Sequence, residues 1–183
     1  NARELAVGLG YQEILSPVLN NKVNLYKNMN TEDFGTIEVE DYISETLSCV
    51  RTWLIPVLME VLSKNKHVDY AQKIFEQGIV TERKGEDIKD YEKIALAFSD
   101  AHAGFTEMKQ TLDFIMHNLG LKYELQEIEH KSFIEGRAAK IISSGKKVGY
   151  IGEINPIVLE RWNLKMPVAA MELNLSEMMN SDN

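Results

Sequence analysis

Leu47 to Val80, LSCVRTWLIPVLMEVLSKNKHVDYAQKIFEQGIV, is the stretch whose reading decides the fold. In its first half Leu54, Val57, Leu58, Val61 and Leu62 recur at three- and four-residue steps, which places them on one stripe of an amphipathic helix. Pro56 lacks a backbone N–H and clashes with the preceding turn, so it belongs in the helix's first turn. Thr52 is the expected N-cap, because its hydroxyl can accept an N–H that the helix leaves unpaired. The stripe ends at Ser63-Lys64-Asn65-Lys66, where cations suit the negative end of the helix dipole. From Lys73 to Val80 the pattern turns to β-prone Ile74, Phe75, Ile79 and Val80, so the helix feeds a strand marked Phe75-Glu76-Gln77-Gly78.

Upstream, Arg3 to Leu9 has a short helical pattern with Leu5 and Leu9 on one face, and Gly10 suits the left-handed position after it. Tyr11 to Leu15 reads as a strand stopped by Ser16-Pro17. Asn20 and Asn21 can start a short helix around Lys22 to Lys27, and Asn28 to Gly35 reads as an exposed loop. Thr36 to Val39 is a brief strand candidate.

Downstream, the charge-dense run Glu82 to Glu92 reads as a solvated loop at a hairpin end. Ile94, Leu96 and Phe98 alternate with Ala95 and Ala97, the signature of a strand whose second face meets something close-packed. Phe105, Met108, Leu112, Ile115 and Leu119 predict a helix closed by Gly120. Leu121, Tyr123 and Leu125 begin a further alternating strand, and Arg137–Ile142 and Lys146–Ile154 flank a Ser143-Ser144-Gly145 hairpin turn. Asn155-Pro156 starts a short helix, Val168–Leu173 is a last strand, and a fraying tail is expected from Ser176. Strands joined by hairpins and mixed irregularly with helices predict an α+β fold, an antiparallel-rich sheet flanked by helices, in one domain spanning 1–183.

Hydrophobic residues make up 44% and charged residues 26% of the chain, ordinary values for a globular protein. The net charge of −8 argues against a broad basic surface for nucleic acid or anionic membrane. One cysteine, Cys49, precludes an internal disulfide and a cysteine zinc site, and reads as a buried thiol. No apolar run approaches the roughly 20 residues needed to span a bilayer. The start at Asn1-Ala2, without methionine, suggests a piece of a longer protein.

His67, His102, His117 and His130 lack metal-ligand spacing, and no nucleophile elbow, P-loop or dinucleotide fingerprint is present. Gly149 and Gly152 read as sites of close backbone approach within a sheet. Glu76, Glu153 and Glu172 are expected on a wet sheet face, with a cleft lining as the alternative. Tyr11, Trp53 and Trp162 read as core or interface anchors.

Taken in order, GLGYQEILSPVL (Gly8–Leu19), SETLSCVRTWLIPVLMEVLSKNKH (Ser44–His67), QKIFEQGIV (Gln72–Val80), GFTEMKQTLDFI (Gly104–Ile115), SFIEGRAAKI (Ser132–Ile141), VGYIGEINPIVLERWNL (Val148–Leu164) and PVAAMELNL (Pro167–Leu175) cover nearly the whole chain. Together they resemble the class II aminoacyl-tRNA synthetase fold, and more closely the synthetase-like module of phenylalanyl-tRNA synthetase beta subunits of archaeal and eukaryotic type. The sequence departs from that pattern at Asp41-Tyr42, Glu135-Gly136-Arg137 and Asn155-Pro156.

The resemblance implies that a first motif, here Arg3–Gly10 and Tyr11–Pro17, builds a subunit interface, with Leu5, Leu9, Tyr11 and Pro17 as its candidate residues. A second motif would place an ATP-gripping arginine beside a strand glutamate, yet Glu76 has no arginine after it until Arg83. A third would run a strand straight into a helix arginine; here Asn155-Pro156 separates Gly152 from Arg161. Adenylate formation needs positive groups set against charge developing on the phosphates. The resemblance therefore implies a catalytically silent module with no cofactor of its own. It also implies a parent enzyme in which the alpha subunit performs ATP- and magnesium-dependent charging of tRNA with phenylalanine, in a cytoplasmic heterotetramer of two alpha and two beta chains with no membrane partner. The alternative is an active ligase domain that binds ATP through substituted residues, with Arg51, Arg137 or Arg161 converging on one pocket. A tRNA-contacting or regulatory domain is disfavoured by the acidic balance.

Overall fold

The computed structural model describes residues 1–41 and 44–179. Tyr42, one of the departures noted above, and the tail beyond 179 lie outside the described residues. Helix α1 (Ala2–Gly8) is capped by Asn1, whose side chain accepts the Arg3 N–H, and Gly10 turns the chain at φ +81°. Strand β1 (Gln12–Glu13) is much shorter than the expected Tyr11–Leu15. A small ribbon, β2 (Leu19–Asn20) with β3 (Cys49–Val50), brackets a π-helical turn at Val23–Lys27 and a 3₁₀ turn at Glu45–Leu47. The Asn28–Gly35 loop is not wholly exposed, because Met29 is buried in the core.

Helix α2 (Ile55–Lys64) follows the Leu54–Leu62 stripe, with Pro56 in its first turn. Then come β4 (Gln72–Lys84), β5 (Asp87–Ser99), α3 (Phe105–Asn118), β6 (Glu124–Glu127), β7 (Phe133–Ser143), β8 (Lys146–Ile154), α4 (Pro156–Arg161), β9 (Val168–Asn174) and α5 (Leu175–Met179). The expected fraying from Ser176 gives way to α5, which buries Leu175 and Met178. The charged Glu82–Glu92 run is mostly paired rather than a loop. Gly85, at φ +66°, allows a two-residue turn, and Lys84 pairs with Asp87.

Seven strands form one sheet in the order β1-β4-β5-β9-β8-β7-β6. Every pairing is antiparallel except the edge pair β1–β4. The alternation in β5 sorts onto two faces. Ala95 and Ala97 meet the cluster built by α2, α4 and Trp53, while Ile94 and Leu96 meet the cluster under α1, α3 and α5. Small side chains there and at Ala170 let α2 lie close over the strands. The Ser144-Gly145 turn, both residues at positive φ, closes β7 onto β8 as expected.

Gly149 marks where β8 and β9 touch most tightly. A Cβ there would stand 2.0 Å from the Glu172 carbonyl oxygen, whereas one at Gly85 would meet nothing within 4 Å. Gly149→Ala is expected to cost about 3 kcal/mol or more by backbone displacement. Gly85→Ala is expected to cost about 1–2 kcal/mol, through its left-handed φ alone. Urea denaturation midpoints of the two variants test this ordering.

Candidate functional site

The face of the sheet that α2 covers ends in a cleft of about 160 Å³ lined by Glu82, Lys84, Lys93, Lys147, Tyr150 and Glu172, among others. Its organiser is Glu172 on β9. The first N–H groups of α2 need an acceptor, and Leu54 at the N-cap offers no side-chain oxygen. Thr52, the expected cap, instead pairs its hydroxyl with Tyr26 at 2.7 Å. Glu172 Oε2 takes over, accepting the Leu54 and Ile55 N–H groups at 2.7 and 3.1 Å. The helix's positive end favours that carboxylate.

Lys93 on β5 supplies the counter-charge. Its Nζ donates to Glu82 Oε1 at 2.8 Å and to the Thr52 carbonyl at 3.2 Å, and lies 3.3 Å from Glu172 Oε1. That last contact is electrostatic, because Glu172 Oε1 receives no hydrogen bond of good geometry. Burial works against the Lys93 charge, but Glu172 and Glu82 outweigh it and hold the ammonium above the ordinary lysine range. Burial and the nearby Lys93 push Lys147 the other way, and its Nζ sits 4.3 Å over the Tyr150 ring. Burial raises the Tyr150 hydroxyl to about 12. Glu76 and Glu172 are both buried, so neither sits on a wet face; Glu172 lines the cleft.

A second charged cluster lies farther along β4. Arg51 Nη1 reaches Glu76 Oε1 at 2.6 Å and Arg51 Nε donates to the Ile79 carbonyl at 2.9 Å. The Arg51 guanidinium occupies the space that a side chain at Gly78 would fill, its Nη2 lying 2.4 Å from where that Cβ would be. Ser16 completes the cluster, accepting from Arg51 at 2.8 Å and lying within hydrogen-bond reach of both Glu76 oxygens.

Glu153 accepts the Phe105 N–H at the start of α3 and pairs with Arg137 at 2.8 Å. Arg161 donates to the Lys27 carbonyl. The three arginines that could have substituted as phosphate ligands therefore hold three different partners. The chain's direct passage from strand into helix is also not at β8–α4, where Asn155 intervenes as a cap. It lies at β9–α5, where Asn174 is followed at once by Leu175 and the helix carries no arginine.

Among the interface candidates, Leu5 and Leu9 are half-buried against the cluster under α3. Tyr11 is buried, with its hydroxyl 3.3 Å from that of Thr111. Pro17 is exposed. The sequence gives no local sign that its neighbours Leu15 and Val18 are 86% and 45% exposed. Leu15 and Pro17 border a groove of about 490 Å³ shared with Leu47, Val57 and Val61.

His67, His102 and His117 are exposed, and His130 is half-buried among the rings of Trp53, Phe133 and Tyr150. Cys49 is buried as expected, and no cluster of metal-ligating side chains occurs among the described residues. Among those residues, no helix is long and apolar enough to cross a membrane.

The comparisons with known proteins bear on this geometry. The family model described as the phenylalanyl tRNA synthetase beta chain CLM domain matches residues 1–175. The chain belongs to this CLM-domain family. It is 47% identical to the phenylalanine–tRNA ligase beta subunit of Thermococcus onnurineus and 44% identical to that of Pyrococcus abyssi. Each alignment covers 94% of this chain, with 33% and 32% of the respective relatives. The chain thus spans about a third of the length of the curated relatives it matches. Among solved structures, a pyrrolysyl tRNA synthetase of Desulfitobacterium hafniense, PylSc, superposes with a TM-score of 0.79 at 14% identity. That match covers 97% of this chain and 65% of the other. The CLM domain therefore has the class II synthetase-like fold.

Two variants test the electrostatics of this CLM domain. Lys93→Met leaves Glu82 and Glu172 without their shared cation, and is expected to cost about 3 kcal/mol or more by urea denaturation. Burial, aided by Lys147, lowers the His130 imidazole to about 4. The unfolded chain therefore binds a proton near pH 6.5 that the folded chain refuses, so this contribution is complete above that pH and is lost on acidification toward 4. Between pH 7 and 5, His130→Phe is expected to lose about 1–2 kcal/mol less stability than the parent chain.

Proposed function

We propose that this domain is a non-catalytic synthetase-like module of a phenylalanine–tRNA ligase beta subunit, and that its work is to dock and hold the alpha subunit. The observation that carries this reading is that the buried charges on the α2 side of the sheet are engaged with one another and with the fold. Lys93 bridges Glu82 and Glu172, Glu172 caps α2, and Arg51 is locked to Glu76. Stabilising a phosphoryl or adenylate transition state needs positive groups held free for the incoming charge, and losing one such donor typically costs about 100- to 1,000-fold in rate.

In this reading ATP and magnesium serve the parent complex, and the complex carries tRNA. The assembly is a cytoplasmic heterotetramer of two alpha and two beta chains. The alpha subunit meets the first-motif side of the domain at the apolar Leu15–Val18 segment, with Pro17 at its centre, and Leu5 and Leu9 extend the interface from α1. An exposed apolar segment of this kind supports a docking role.

Calorimetric titration of the domain with magnesium-ATP, alone and with phenylalanine present, tests the catalytic half of the reading. No binding heat is expected up to millimolar nucleotide. Micromolar binding would overturn it.

A further inference from the structure

Resting on that docking reading, we propose that the buried Arg51–Glu76 pair is a clamp that presets the Leu15–Val18 segment, so that Ser16 is a positioning residue for alpha-subunit association. Leu15 is 86% exposed and Pro17 is exposed, yet Ser16 between them turns inward to the ion pair. The two charged side chains are each only 3% exposed.

The segment is fixed at three points. Its N-terminal end is tied by the Ile14 N–H to the Phe75 carbonyl at 2.9 Å, and its C-terminal end by the Arg51 N–H to the Val18 carbonyl at 3.0 Å. In the middle the Ser16 hydroxyl ties the segment inward, and it engages both members of the pair. Arg51 thus holds the segment twice, through its backbone and through its side chain. The guanidinium in turn is seated by the Ile79 carbonyl and by the absent side chain at Gly78.

Charge-assisted hydrogen bonds away from water are short and directional. A buried ion pair is a weak source of net stability compared with apolar packing. Holding a loop in its bound shape, by contrast, raises affinity by removing an ordering cost from association. The clamp therefore acts on docking more than on folding.

The test uses the full-length beta subunit with its alpha subunit and compares Ser16→Ala, Ser16→Thr and Leu15→Glu. Affinity is read from the concentration dependence of assembly. Amide hydrogen exchange across residues 14–19 is read in the free beta subunit, with the melting temperature as control. Ser16→Ala removes the tie and leaves the Arg51–Glu76 pair in place. It is expected to weaken association about tenfold and to speed exchange at 15–18, with the melting temperature lowered by a few degrees because Glu76 Oε2 loses its hydroxyl partner, while Ser16→Thr restores all three. Leu15→Glu is expected to weaken association at least tenfold without changing exchange.

If Leu15→Glu weakens assembly but Ser16→Ala does not, the clamp proposal is overturned and the docking face stands, whether or not exchange quickens. If Leu15→Glu leaves assembly unchanged, the docking face itself is misplaced and the clamp proposal falls with it.

Discussion

A carboxylate at the centre of the sheet holds the start of the helix above it. Glu172 sits on β9, between β5 and β8, and its Oε2 receives the first two amides of α2. That contact sets where α2 begins and, through Thr52 and Trp53 just before it, how the 49–54 segment enters the core. It also creates an electrostatic demand, because an ionised carboxylate taken out of water needs compensation. The helix end supplies part of it and Lys93 supplies the rest. Lys93 then draws Glu82 inward, so one capping contact fixes three strands and a helix in mutual register.

Glutamates carry this role repeatedly. Glu153 caps α3 on the opposite face of the sheet, with Arg137 behind it, and Glu76 anchors Arg51 and Ser16 on the α2 face. In each case a strand positions an acceptor where a helix end or a loop has a donor to satisfy. These three residues tie the sheet to what flanks it, by directional contacts that complement the non-directional packing of two apolar clusters. The synthetase-like outline of the sheet is thus held by carboxylates that are themselves buried or half-buried in the fold.

Much of the architecture was legible in the sequence because it depends on local pattern. The Leu54–Leu62 stripe, the Asn155-Pro156 start, the Ser144-Gly145 turn and the Ala95/Ala97 alternation each act within a few residues. The α+β sheet followed from them, and the resemblance pointed to the family. What escaped was long-range. Thr52 has a capping residue's chemistry, yet Tyr26 takes its hydroxyl and Glu172, 118 positions beyond Leu54, does the capping instead. The Glu82–Glu92 run is charged enough for a loop, but cross-strand partners such as Thr81 with Asp90 and Lys84 with Tyr91 keep it ribboned. Leu5 and Leu9 share a helix face as expected, but α3 and its cluster cover much of it, and the bare apolar surface falls on Leu15 and Val18.

The thiol of Cys49 gives the molecule a reporter of its own motions. It is fully buried within β3 of the β2–β3 ribbon, contacts the Asn20 carbonyl, and burial raises it to about 11. Thiolate is the species that alkylating and oxidising agents attack, so the folded thiol is inert to them. Reaction at this position therefore requires the ribbon to lift. Since Val18 leads directly into β2 of the same ribbon, the pace of thiol labelling becomes a clock for opening of the layer that bears the exposed Leu15–Val18 segment.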